Sequence, residues 1–191
     1  VLGCYYLTLI RPSPPGITPP VFRDREEALL AQANGKIHYH TEILVPIQGE
    51  LVRTTLGRLI FNSILPPEIP FVNNVVGKKE LRNLVERTYH ELGREQAVAL
   101  VDRLKTLGFH YATLSGATIS IGDLTVPPER DAIIQETDRK AEKIKQQYKE
   151  GLITVDERRR LVTQLWTEAK ERIEKIILNK QDPFNPISMM V

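Results

Sequence analysis

Residues 129–180 read ERDAIIQETDRKAEKIKQQYKEGLITVDERRRLVTQLWTEAKERIEKIILNK, and this stretch decides the fold. Of its 52 residues, 24 are Asp, Glu, Lys or Arg. The apolar residues between the charges recur every three or four positions, which is typical of a helix with one narrow apolar stripe. Such a stripe can bury one helix against another, but it cannot bury either helix on all sides. The sequence therefore predicts a long antiparallel α-helical hairpin that projects into solvent and meets a partner.

Specific residues mark the ends of the two predicted arms. Pro127-Pro128 precede the first arm, which we expect over about 131–150, and Gly151 ends it. Thr154 and Glu157 have the spacing of a capping box, so we expect the second arm over about 155–179. The predicted seam between the arms consists of Ile134, Ala141, Ile144 and Tyr148 in the first and Leu161, Leu165, Trp166, Ile173 and Ile176 in the second.

The chain before the hairpin has shorter elements and many breaks. Nine of the 13 prolines in the whole chain precede residue 71, and five of these nine fall in a predicted loop at 11–20. The patterns predict strands at Val1–Ile10, Ile37–Val45 and Leu51–Thr55, helices at Asp24–Ala33, Gly57–Leu65, Lys78–Leu92 and Glu95–Leu107, and a buried strand or extended segment at Phe109–Leu124. The predicted class is α+β, mainly α: a small region of strands and short helices followed by the hairpin.

Bulk composition excludes few functions. The net charge of +2 and a pI near 8.7 are too mild to indicate nucleic-acid binding. Cys4 is the single cysteine, so no internal disulfide can form. No apolar run reaches the ~18 residues that a membrane span needs. Because the chain starts and stops within apolar sequence, we expect it to be an excised fragment of a larger protein.

Few residues have the pattern of a chemical site. His38 and His40 would share one face of a strand, as two zinc ligands need, but no third ligand stands at a matching spacing. Cys4 lies in an apolar segment, where a thiol is usually buried and inert. Gly77-Lys78-Lys79 lacks the other residues of a phosphate-binding loop. The start of the following helix could still hold an anion, although a solvated first turn is the more common reading.

Two features of the hairpin leave alternatives open. The Arg158–Arg160 run could touch phosphate, but it more often forms the solvated face of an amphipathic helix. Leu152 and Ile153 would lie at the end of the hairpin with little core beneath them. They are either ordinary exposed residues or a docking point for a partner. Tyr148 and Trp166 are expected to pack one arm against the other.

Several segments carry a resemblance to a known family. FHYATLSGATISIGDLTVP at 109–127 is similar to the signature that opens the funnel domain in the largest-subunit (β′) family of bacterial RNA polymerases. VLGCYYLT at 1–8, TTLGR at 54–58, GKK at 77–79 and DPFNPISMM at 182–190 resemble further motifs of that family and follow in its order. The resemblance spans essentially all 191 residues.

The resemblance implies a part without catalytic residues. Residues 1–111 would belong to the pore region and 112–191 to the funnel, whose hairpin forms the rim of the secondary channel for nucleoside triphosphates. The whole complex would be a nucleotidyltransferase, and this fragment alone would be inactive. The family's Mg and Zn would bind elsewhere, so no cofactor is expected here.

The same resemblance implies sites and partners. Factor binding would fall on the hairpin turn, at Lys149, Gly151, Leu152, Ile153, Thr154 and Asp156. A nucleotide regulator of the channel would involve Lys78, Lys79 and Tyr89, and the active centre would be approached by Asn185, Pro186, Met189 and Met190. The implied partners are the other β′ segments, the β, α and ω subunits, Gre-type cleavage factors and nucleoside triphosphates, with DNA and RNA only through the whole enzyme and no membrane. The implied location is the bacterial cytoplasm, at the nucleoid.

Two other functions remain open from the residues alone. A free-standing helical-hairpin adaptor would explain the hairpin, but not the ordered pore-region motifs. A nucleic-acid-binding module would use Arg158–Arg160, and its binding would weaken steeply with salt.

Overall fold

The computed structural model describes residues 1–123 and 126–190, and there the chain is mainly helical with one two-stranded sheet. The elements are α1 Leu2–Thr8, α2 Arg25–Ala33, β1 Glu42–Ile47, β2 Glu50–Thr55, α3 Leu56–Asn62, α4 Lys78–Leu92, α5 Arg94–Ser115, a 3₁₀ turn Ile121–Asp123, α6 Glu129–Lys149, α7 Val155–Lys180 and α8 Pro186–Met190. The predicted mainly-α α+β class is confirmed.

Two compact units divide the chain, residues 1–118 and residues 119–189. The boundary predicted from the resemblance, between 111 and 112, falls inside α5, which continues to Ser115. The division into a pore and a funnel part is a division of function, and it stays a prediction. Val191, the last residue of the predicted funnel part, lies outside the described residues.

The core of the first unit contains two apolar clusters. One joins α1, α3, α4 and α5 through the buried side chains of Cys4, Leu7, Phe61, Leu65, Ile69, Val76, Leu84, Leu100, Leu104 and Tyr111. The other packs α2 and α3 on the sheet through Ala28, Ala31, Ile37, Ile43, Val45, Leu56 and Leu59. Burial of this apolar surface is the main force that holds the short elements together.

The strand predicted at Val1–Ile10 is wrong, because this segment forms α1. Its buried residues, Gly3, Cys4, Leu7 and Thr8, recur at helical spacing, and the aromatic and Leu-rich composition outweighed that spacing in the prediction. A Cβ on Gly3 would lie 1.8 Å from the carbonyl oxygen of Gly108 in α5. Tertiary contact with α5 thus overrides the local preference for a strand.

The second correction concerns Phe109–Leu124, predicted as a buried strand or extended segment. Helix α5 passes through Gly108 and ends at Ser115, where Gly116 takes a left-handed conformation with φ of 58°. Gly108 therefore does not stop the helix, and its carbonyl oxygen lies against Gly3 of α1. Ile119 and Ile121 beyond it are exposed, not buried. Leu124 lies outside the described residues.

The sheet is a tight antiparallel hairpin. Glu42 pairs with Thr55 and Ile47 with Glu50, so Gln48 and Gly49 form the connection. Both have positive φ, 52° and 90°, as a two-residue type I′ turn requires. The predicted pairing is confirmed, although β1 begins at Glu42 and not at Ile37.

The remaining helices of this unit agree well with the sequence. Asp24 caps α2, because its carboxylate accepts the Glu27 backbone N–H at 2.9 Å, as predicted. Helix α4 has the predicted bounds. Helix α3 ends at Asn62, three residues before the predicted end.

The predicted α-helical hairpin is confirmed in the second unit, as α6 and α7. At 1.5 Å per residue the helices are about 32 and 39 Å long. Ile133 and Thr137 of α6 and Ala169 of α7 are buried between them. Lys180 pairs with Glu129 where the two helices begin and end, and Arg172 lies 3.6 Å from Glu136. No helix among the described residues is both long and apolar enough to cross a membrane.

The seam differs in detail from the predicted one. Ile133 is buried where Ile134 was expected, and Ile134 is half-buried. Trp166 is 38% exposed, and its packing against α6 stays a prediction. Neighbouring positions on a helix differ by 100° in direction, and a stripe read from sequence is easily displaced by one residue.

Candidate functional site: the hairpin turn

The turn between α6 and α7 has a defined conformation. Gly151 has φ of +72°, which side-chain-bearing residues rarely adopt. Its N–H donates to the Tyr148 carbonyl at 3.0 Å, and the Leu152 N–H donates to the Gln147 carbonyl at 3.0 Å. These two bonds form a Schellman motif, which satisfies carbonyls left free at the end of α6. The predicted role of Gly151 as the stop of the first arm is confirmed.

The start of α7 is fixed by the predicted capping box. The Thr154 N–H donates to a carboxylate oxygen of Glu157 at 3.0 Å, and the Glu157 N–H donates to the Thr154 hydroxyl oxygen at 3.2 Å. The hydrogen bond from the Thr154 N–H lowers the pKa of Glu157, which therefore stays charged. Hydrogen bonds within the chain thus fix both helix ends at the turn, so the turn needs no partner to hold its shape.

A third contact joins the two helices beside the turn. The guanidinium carbon of Arg158 lies 4.5 Å from the centre of the Tyr148 ring, a cation–π distance. Arg158 is half-buried by this contact, whereas Arg159 and Arg160 are exposed. The arginine run therefore does not form one continuous face. Tyr148 was predicted from its spacing to pack on the second arm, but Arg158 was not identified as its neighbour.

Apolar side chains are exposed on this ordered turn. Leu152 is 69% exposed and Val155 is 53% exposed, while Ile153 is half-buried. The turn and the start of α7 bring together the residues expected there, Lys149, Gly151, Leu152, Ile153, Thr154 and Asp156. Val155 was missed, although its place three residues after Leu152 was a usable signal. An exposed apolar pair on a rigid turn framed by charge is suited to contact another protein.

The residues of the second predicted site are spread along α4. Lys78 and Lys79 are exposed in the first turn, and Tyr89 is 52% exposed three turns later, about 16 Å along the helix. The carboxylate of Glu80 accepts the Gly77 N–H at 3.0 Å. It places a negative charge at the helix start, where an anion would otherwise be favoured. The structure thus does not bring these three residues together.

The third predicted group lies at the start of α8. The Asn185 side-chain amide donates to the Asp123 carbonyl at 2.9 Å, and its oxygen accepts the Ile187 N–H at 2.9 Å. Pro186 and Met189 are half-buried, and Met190 is 44% exposed. These contacts order the segment, and its approach to an active centre stays a prediction.

The histidines and the cysteine have structural surroundings. His38 is exposed in a turn before β1, so the shared strand face predicted for it and His40 is wrong. His40 is buried, its Nε2 donates to the Tyr6 carbonyl at 2.8 Å, and burial lowers its pKa. Cys4 is buried as predicted, and burial raises the pKa of its thiol. Within the described ranges, no three His, Cys, Asp or Glu side chains are grouped to hold a metal ion.

Comparisons with known proteins agree with the family resemblance. The family described as "RNA polymerase Rpb1, domain 3" matches residues 1–124. The β′ subunit of DNA-directed RNA polymerase from Desulforudis audaxviator is 44% identical over 191 residues, which are 100% of this chain and 16% of that subunit. The β′ subunits from Thermotoga petrophila and Acetivibrio thermocellus are 41% and 38% identical, and the alignments cover all of this chain and 12% and 18% of those subunits. The chain therefore spans less than a fifth of the length of these relatives, and the alignments include the hairpin.

Proposed function

This chain belongs to the RNA polymerase Rpb1, domain 3 family, and from that premise we propose that it shapes the secondary channel of a bacterial DNA-directed RNA polymerase. It is a segment of the β′ subunit without catalytic residues of its own. Residues 1–111 contribute to the pore region and residues 112–191 to the funnel. The nucleotidyltransferase activity belongs to the assembled enzyme.

The hairpin of this segment docks transcription factors of the Gre type that bind in the channel. The observation that carries this proposal is the exposure of Leu152 and Val155 on a turn whose helix ends are both capped. A preordered apolar contact loses little conformational entropy on binding, so a small surface can contribute useful affinity. Lys149 and Asp156 frame the apolar pair with charges of both signs.

The other partners follow from the place of the segment in the subunit. They are the remaining β′ segments, the β, α and ω subunits, and nucleoside triphosphates in transit, while DNA and RNA are met through the whole enzyme. Asn185, Pro186, Met189 and Met190 approach the active centre from the channel side. In a regulator site Lys78 and Lys79 contribute separately from Tyr89, which lies about 16 Å farther along α4. The Mg and Zn of the subunit bind outside this segment, and the enzyme works at the nucleoid.

A single charge placed on the turn tests the docking. We expect Leu152→Asp, in polymerase reassembled with the complete β′ subunit, to weaken binding of a Gre-type cleavage factor by at least about tenfold. The apolar contact would be lost and a charge would be desolvated, at a cost of roughly 1.4 kcal/mol or more. Fluorescence anisotropy with a labelled factor measures the dissociation constant.

Thr167→Asp is the matched control, because it places the same charge on an exposed residue of α7 more than three turns from Leu152. It should change the dissociation constant less than about twofold, the scale of an exposed remote charge. Equal affinities of the Leu152→Asp enzyme and the unchanged enzyme would contradict the docking proposal.

A further inference from the structure

The two halves of the hairpin differ in charge. The turn-side half, residues 139–165, contains eight basic and four acidic residues, a net charge of +4. The open-end half, residues 129–138 and 166–180, contains five basic and seven acidic residues, a net charge of −2. Because α6 and α7 are antiparallel, their helix dipoles oppose one another. The difference between the halves therefore comes from the side chains.

Six of the eight positive charges near the turn form no close ion pair with the residues that the structure describes. Lys140 pairs with Glu136 at 2.7 Å, Lys145 pairs with Glu142 at 3.2 Å, and Arg158 lies over Tyr148. The other five basic residues are exposed, and within the described part of the chain no carboxylate lies within 4.0 Å of them; they are Arg139, Lys143, Lys149, Arg159 and Arg160. These five charges are available to a partner.

The two halves act separately on an approaching molecule. At 1.5 Å per residue their centres lie about 15–20 Å apart along the hairpin, which is about two Debye lengths at physiological ionic strength. A charged group near the turn therefore senses mainly the turn-side half. An acidic surface is attracted there and repelled by the open-end half, which favours one orientation of approach.

We propose that the turn-side half recognises an acidic protein surface. The carboxylates of that surface contact the five basic residues, and Leu152 and Val155 make an apolar contact with the same partner. This inference rests on the proposed docking function and defines the chemistry of the partner. Charge complementarity of this kind mainly raises the association rate and sets orientation, whereas the apolar contact supplies the lasting affinity.

The surroundings of the turn favour protein over nucleic acid. Arg158 covers one face of the ring of Tyr148, the aromatic residue nearest the turn, so a base cannot stack on that face. The exposed apolar pair has no counterpart on a phosphate backbone.

The test compares charge reversal in the two halves of the hairpin. In reassembled polymerase, Arg159→Glu with Arg160→Glu should slow association of a Gre-type factor by about tenfold at low salt and flatten its salt dependence. Lys170→Glu with Lys175→Glu makes the same change of four charges in the open-end half, where both lysines are exposed. This control should slow association less than about threefold, because salt screens the charges of the open-end half from a factor that binds near the turn. Stopped-flow fluorescence at several salt concentrations measures both rates.

The outcomes separate this inference from the docking proposal. Equal effects of the two reversals, or none from either, would overturn the charge inference. If Leu152→Asp weakens factor binding while the arginine reversal does not, docking stands and the inference fails. If neither variant alters binding, both fail. Loss of binding to a labelled 12-nucleotide RNA with unchanged factor binding would assign the arginines to nucleic acid and would also overturn the inference.

Discussion

Gly3 shows how one residue can decide the path of the chain. It lies where α1 crosses α5, and a Cβ there would be 1.8 Å from the Gly108 carbonyl oxygen and 2.7 Å from the Ala112 nitrogen. Both neighbours are backbone atoms and cannot move aside cheaply. We expect Gly3→Ala to lower the opening free energy of α1 and α5 by more than about 2 kcal/mol, measured by native-state hydrogen exchange.

Gly108→Ala provides the matched control at the same crossing. The added Cβ would lie 3.7 Å from the Cys4 sulfur, an ordinary contact. Ala is also favoured over Gly within a helix by about 1 kcal/mol. This variant should be neutral or slightly stabilising, and equal losses from the two substitutions would contradict the described crossing.

Sequence patterns identified the capping residues but not the close contacts. Asp24, Thr154 and Gly151 act as predicted, because capping depends on neighbours within a few positions. The roles of Gly3 and Gly108 depend on residues about 100 positions apart, and a single sequence carries no signal for such a crossing. The burial of His40 was missed because its partner, Tyr6, lies 34 positions away, and the contact of Arg158 with Tyr148 depends on how α6 packs on α7.

At the scale of elements, the capping box gives the start of α7 its local stability. Thr154→Ala removes the hydroxyl that accepts the Glu157 N–H. We expect a loss of about 1 kcal/mol, seen as roughly fivefold faster hydrogen exchange of amides in the first turn of α7.

Thr163→Ala is the control for this substitution, since Thr163 is exposed within α7 and makes no capping contact. In Thr163→Ala the exchange rates of the amides in the first turn of α7 should stay unchanged. Unaltered exchange at the start of α7 in Thr154→Ala would mean that the capping box does not stabilise the turn.

Helices with a clear apolar period were predicted well, and the errors came from strand-like composition in α1 and from a glycine inside α5. The bounds of α4 and of both hairpin helices agree within about two residues, because each repeats its apolar spacing over several turns. Helix α1 has seven residues, too few for periodicity to outweigh its strand-like composition. Helix α5 continues through Gly108, which the pattern treated as a stop. The position of the hairpin turn was therefore predictable, whereas the exposed fraction of Val155 needed the structure.

At the scale of the whole molecule, the chain is best understood as part of a larger subunit. Relatives named as β′ subunits align with all of it, including the hairpin that lies beyond the family match at residues 1–124. A free-standing adaptor would account for the hairpin alone. The proposed function of the first unit is to form part of a channel, and the proposed role of the second is to receive factors that enter that channel.

The most direct test of the proposed docking function uses a β′ subunit that lacks the part of the hairpin nearest the turn. Lys140 and Leu165 line the same small cleft between α6 and α7, so two glycines can replace residues 141–164 and reconnect the helices. In polymerase reassembled with this shortened β′ subunit, we predict that the affinity for a labelled Gre-type factor falls by at least about tenfold, roughly 1.4 kcal/mol. Assembly with the β, α and ω subunits, followed by size-exclusion chromatography, confirms that the enzyme is intact. An intact enzyme that binds the factor with undiminished affinity would contradict the central claim.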